Sequence, residues 1–194
     1  SGFIAEIGYD VYQKILDEAV RELKDEHFGH LVEGKARDEQ VNECQFETDQ
    51  EVRIPNEYIS DVTERLVLYK RISQAADEAE LQQIGRELID RFGMMPPQVL
   101  DLMDTIRVRE LARQLGFEKL THQNGKLTGT FLSNPEAEYY QGPIFQQILA
   151  YVQQHSADSK LIQKDAALKL RLFDLNTTKE VLFRLKAMAE KVLQ

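Results

Sequence analysis

The chain has 194 residues, 42% of them apolar, with nine Phe, seven Tyr and no Trp, enough for one ordinary domain with its own core. No run approaches the ~20 apolar residues of a membrane span, and the single Cys44 excludes an internal disulfide and points to a reducing, cytoplasmic setting. A formal charge of −9 disfavours a nucleic-acid module, whose affinity rests on neutralising phosphates, and favours a basic protein partner; only residues 151–194 are basic, at +3, against −8 for residues 1–50.

Residues 9–26 read as a helix, with Val11, Ile15, Leu16, Ala19, Val20 and Leu23 along one side. From Gly29 to Gln40 the periodicity stops and a linker or mobile loop is expected. Residues 44–47 and 51–54 read as strands, the second stopped by Pro55. Asp61 with Glu64 forms a capping box that opens a helix through Leu66, Val67, Tyr69 and Ile72. Asp77 with Glu80 forms another. Behind it Leu81, Ile84, Leu88 and Phe92 make one apolar stripe, while Glu80, Gln83, Arg86, Glu87 and Asp90 share the opposite face. Gly93 suits a left-handed C-cap, and Pro96-Pro97 forbids continuation.

Pro97 then starts a longer helix running to about residue 115, with Gly116 as its C-cap. Asn124-Gly125 is the preferred type I′ dipeptide and predicts a hairpin between strands 117–123 and 126–131. Residues 143–152 read as a helix and 168–173 as a strand. Thr177 with Glu180 is a third capping box, for a final helix through Val181, Leu182, Leu185, Met188 and Val192. Because helices and strands come in runs, the expected class is α+β, a mainly antiparallel sheet packed with several helices.

Catalytic chemistry finds little purchase. His27 and His30, with Glu26 and Glu33, have helical metal-ligand spacing, which would suit a small metal-dependent hydrolase. They run into Gly29, so a solvated helix end is the expectation. His122 and His155 have no sequence-local partners, and neither a phosphate-binding G-x-x-x-x-G-K-[ST] loop nor a G-x-S-x-G elbow is present. The chain is expected to be no enzyme by itself and to hold no cofactor.

The run ELIDRFGMMPPQV (87–99), preceded by IPNEYISDVTERLVLYKRI (54–72), closely resembles the C-terminal domain of the bacterial transcription-repair coupling factors. The opening SGFIAEIGYDVYQKILDEAV (1–20) resembles the segment where that family's second translocase domain runs into the C-terminal domain. Likeness extends to about residue 117; beyond it, only ALKLRLFDLNTTKE (167–180) is similar. The resemblance implies a plan of 1–28 as the end of the translocase domain with its connecting helix, 29–42 as linker and 43–194 as C-terminal regulatory domain. Together with the start at Ser1, it suggests a piece of a longer protein.

That parent would be an ATP-driven DNA translocase, with ATP and Mg bound elsewhere in it. This domain would clamp the parent's N-terminal UvrB-like module, mask the UvrA surface and restrain the motor until RNA polymerase is engaged. By resemblance, Glu87 and Asp90 are the carboxylates that meet a basic surface, an Arg pair being the fitting partner, with Glu80, Gln83 and Arg86 as further members of the patch. Read as bare pattern, the same face is solvation. RNA polymerase and DNA would be met through other parts of the parent, and no membrane is expected. The alternative is a DNA-contacting module using Lys160, Lys164, Lys169, Arg171, Lys179, Arg184, Lys186 and Lys191 of the basic C-terminal quarter.

Overall fold

The computed structural model describes residues 41, 43–134, 136–164 and 167–194. The helix and linker expected before residue 41, and the His27/His30 pair, lie outside the described residues.

Five strands form one sheet: β1 (Gln45–Thr48), β2 (Phe117–Gln123), β3 (Lys126–Phe131), β4 (Ser159–Lys164) and β5 (Ala167–Leu172), in the order β1-β2-β3-β5-β4. β1 runs parallel to β2, and every other pair is antiparallel. Between β1 and β2 come α1 (Val62–Ser73), α2 (Glu78–Phe92) and α3 (Pro97–Gln114); α4 (Pro143–Gln154) precedes β4, and α5 (Thr178–Val192) ends the fold. The class is α+β with a mostly antiparallel sheet, as expected. The hairpin turns at Asn124 and Gly125 with φ of 51° and 70°, the two positive values a type I′ turn demands.

Two apolar cores result. One lies beneath the sheet, where Leu120, Leu127, Phe131, Leu170 and Leu172 meet Val108 and Ala112 of α3 and Val181, Leu185 and Met188 of α5. The other is helical: Leu68, Tyr69 and Ile72 of α1, Leu81, Ile84 and Leu88 of α2, and Val99, Leu102 and Met103 of α3. α3 belongs to both, its first half to the helical core and its second half to the sheet core.

Three expectations need correction. Residues 51–54 are not a strand: Val52 and Ile54 are buried in the helical core, and the Ile54 N–H donates to the Tyr69 hydroxyl at 2.7 Å rather than to a neighbouring strand. In α1 the buried positions are Arg65, Leu68, Tyr69 and Ile72, while Val67 is 52% exposed. A fifth strand, β4, pairs with β5 along its whole length.

The family signature has a physical reason here. The Tyr58 hydroxyl shares its proton between the carbonyls of Leu88 (3.1 Å) and Gly93 (3.0 Å), tying the end of α2 to the loop before α1. Buried Arg65 donates to the carbonyls of Ile59 (2.6 Å) and Ser60 (3.0 Å), fixing the loop that carries Tyr58. Gly93 closes α2 with φ 84° and ψ −163°. Its φ is positive as expected, but ψ lies outside the left-handed helical basin, in a region essentially restricted to glycine.

Candidate partner-binding surface

The outer face of α2 is organised by a ladder of charge across the α1–α2 seam. Glu87 accepts two hydrogen bonds from Arg71, at 3.0 and 2.8 Å, and a third from Arg91 at 3.2 Å. Arg91 also pairs with Glu64 of α1. The order Arg71–Glu87–Arg91–Glu64 thus alternates in sign. Arg71 holds the Glu87 carboxyl below the ordinary glutamate range, Arg91 adding to it against partial burial.

Of the sequence-predicted residues, Glu87 therefore already has guanidinium partners inside the domain. Glu80 is turned toward the start of α2, accepting from the Ala76 N–H at 2.8 Å, while its own N–H donates to Asp77 at 2.8 Å. Gln83, Arg86 and Asp90 are exposed and make no side-chain hydrogen bond or ion pair among the described residues. Asp90 is the carboxylate of this face that remains available. Of Met94 and Met95, the first is 90% exposed beyond the end of α2, and the second packs against the helical core.

Sequence reading missed Arg71, Arg91 and Glu64 as members of this surface. The Glu87–Arg91 pair was legible as an i,i+4 contact, and Glu64 and Arg71, seven apart, share one stripe of α1. The link between helices is tertiary and has no local signal.

Elsewhere the titratable groups are structural. His122 is buried; its Nε2–H donates to the Leu175 carbonyl at 2.8 Å, leaving Nδ1 to accept from the Thr48 hydroxyl at 3.0 Å. Burial pushes the Cys44 thiol up to about 12. A cleft of about 660 Å³ between the two cores is crossed by Arg107, which pairs with Glu78 (2.8 Å) and Asp104 (2.7 Å). Among the described residues no group of His, Cys, Asp and Glu is arranged to hold a metal ion, and no helix is long and apolar enough to cross a membrane.

Fold and surface together define an α+β domain whose distinctive chemistry is a network of surface charge rather than a convergent catalytic set. Residues 48–141 match the family model described as the TRCF domain. The chain is 38% identical over 120 residues to the transcription-repair-coupling factor of Escherichia coli (strain K12), covering 62% of this chain and 10% of that protein. The factor of Rickettsia prowazekii (strain Madrid E) is 29% identical over 182 residues, 93% of this chain and 15% of that protein. That of Bacillus subtilis (strain 168) is 30% identical over 137 residues, 71% and 11% respectively. The chain thus spans between a tenth and a seventh of these relatives. Its fold is similar to the crystal structure of the C-terminal domain of a transcription-repair coupling factor, with a TM-score of 0.61 at 21% identity over 78% of this chain and 92% of that one.

Proposed function

We propose that this chain serves as the non-catalytic regulatory domain of a longer, cytoplasmic transcription-repair coupling factor. In the resting state it clamps the parent's N-terminal UvrB-like module, masks the surface that UvrA needs and restrains the ATP-driven translocase until RNA polymerase is engaged. The observation that carries the reading is Asp90: an exposed carboxylate without a partner among the described residues, one turn from Glu87 on the most charged face of the signature helix. A basic partner can engage Asp90 without dismantling the domain. Glu87 remains half-exposed beside it and adds negative potential, although its hydrogen-bonding capacity is already largely spent on Arg71 and Arg91. The switch is two-state, since an interface held at rest is given up before another partner binds.

The test is a titration of this chain with the separately produced N-terminal module of the same parent. Asp90→Lys removes the free carboxylate and is expected to weaken binding by tenfold or more, corresponding to at least about 1.4 kcal/mol, with the thermal midpoint unchanged. Glu87→Lys is a poorer probe, because it sets a third cation beside Arg71 and Arg91. If the separate pieces bind too weakly to measure, joining them by a flexible linker restores the effective concentration. Binding that Asp90→Lys leaves intact in both formats would remove Asp90 from the interface.

A further inference from the structure

The sheet has two faces, and among the described residues helices cover only one. Alternation places Leu120, His122, Leu127, Leu170 and Leu172 on the buried side. The opposite side is read across the ladder in two rows. Lys119 faces Thr130, which faces Lys169, which faces Ile162; Thr121 faces Thr128, which faces Arg171, which faces Lys160. Lys160 is exposed and the others are half-buried. The Arg171 Nε–H lies 3.4 Å from the Thr128 hydroxyl, confirming that these side chains share the face.

This face departs from the rest of an acidic chain. Arg53, Arg71, Arg91, Arg107, Arg109, Arg113 and Arg184 each pair with a carboxylate. Lys160, Lys169 and Arg171 pair with none among the described residues. The five strands contain two acidic residues, Glu47 and Glu118. Glu47 is neutralised by Lys119 at 2.7 Å, and Glu118 lies at the β2 irregularity, where Ser133 donates to it at 3.0 Å. What remains is a flat lattice of cations and threonine hydroxyls, with strands about 5 Å apart and same-face residues about 7 Å apart along each strand. Those spacings fall inside the Debye length of about 8 Å at physiological salt, so the charges act on a polyanion as one field.

We infer that this open sheet face docks the sugar-phosphate backbone of duplex DNA, a role that does not depend on the clamp reading above. The strand residues of this face include no aromatic side chain, so they offer neither the anchors that dominate protein–protein affinity nor the stacking platform of a single-strand binder. Cations with interleaved hydroxyls are what backbone contacts use, without reading sequence. The inference redraws the basic surface of the C-terminal quarter. It leaves out Arg184, which is paired with Asp158 at 2.6 Å, and Lys191, whose ammonium lies 5.6 Å from the centroid of the Tyr151 ring; Lys119, already paired with Glu47, adds no free charge to it.

The experiment is fluorescence anisotropy of a labelled duplex of arbitrary sequence with the full chain, across a salt series starting near 20 mM. With three phosphates neutralised, log K should fall with log salt at a slope of about −2.7. Lys160→Glu/Lys169→Glu/Arg171→Glu should abolish binding, whereas Lys179→Glu/Lys186→Glu/Lys191→Glu on α5, with the same change in net charge, should weaken it only modestly. The corresponding Gln triple variant serves if the Glu triple fails to fold, as judged by circular dichroism, and is expected to lose at least tenfold in affinity. No binding at the lowest salt overturns the inference, as does equal loss from the sheet and helix variants. Competition by poly-glutamate as effective as that by unlabelled duplex would assign the face to an acidic protein instead.

Discussion

At the scale of single residues, the most consequential finding is that Glu87 serves the domain before it serves any partner. Its carboxyl is about one-third exposed, so Glu87→Gln should cost no more than about 1 kcal/mol at pH 7, the range of a screened surface pair. The sign of the pH dependence follows from its lowered pKa. The contribution is complete above the unfolded glutamate value of about 4.3 and disappears as pH falls through the lower folded value. Urea midpoints of wild type and Glu87→Gln should therefore differ near neutrality and converge in acid; a constant gap would mean that packing, not charge, is lost. Cys44, 1% exposed and with its thiol pushed up to about 12, should resist iodoacetamide in the native chain and react only as the chain unfolds. Gly129 is a third case, set by close approach: a Cβ there would stand 2.5 Å from Cε1 of Phe117. Gly129→Ala is expected to cost about 1–3 kcal/mol in denaturant unfolding, typical of overpacking. The burial of Cys44 was legible from its residue type, but the other two were not, because Arg71 lies 16 residues from Glu87 and Phe117 meets Gly129 only across a formed hairpin.

At the scale of elements, what could be read in advance was what local chemistry decides. Asp61, Asp77 and Thr177 each accept the N–H three residues on, and the Asn124-Gly125 turn follows from its dipeptide. The Thr177–Glu180 box is complete in both directions, so Thr177→Ala should lower stability by roughly 0.5–2 kcal/mol, measurable as a shift in thermal midpoint, with the loss of protection concentrated in the first turn of α5. The misreadings share a cause. Residues 51–54 alternate like a strand, yet Val52 and Ile54 enter the helical core and the Ile54 N–H is taken by a tyrosine hydroxyl. β4 was overlooked because SKLIQK is polar at the edge of the sheet, where a strand has one partner and little need of continuous apolar character. The available carboxylate of the candidate surface, Asp90, was legible from helical periodicity. The ladder that engages Glu87 was not, because it depends on how α1 packs against α2.

At the scale of the whole molecule, the question is how two cores joined by one helix share their stability. Ten positions separate Val99 in the helical core from Val108 in the sheet core when both ends are counted, and no chain break or proline divides α3 between them. The sheet core is the larger and is closed by α3, α4 and α5, so it can hold the second half of α3 in place without help from α1 and α2. The helical core has no such independence: its floor is the first half of α3. Leu88, 1% exposed, is the residue whose truncation tests this asymmetry. Leu88→Ala should cost about 2–5 kcal/mol within the helical core, and the loss should remain local, in the manner of a separate cooperative unit. Native-state hydrogen exchange is expected to show α1 and α2 amides losing protection by that amount while β2, β3 and β5 keep theirs. A uniform fall across both cores would instead make the molecule a single cooperative unit, with the signature helix unable to open on its own. The local outcome would give the α2 surface a route to yield its partner by loosening two helices while the sheet stays folded.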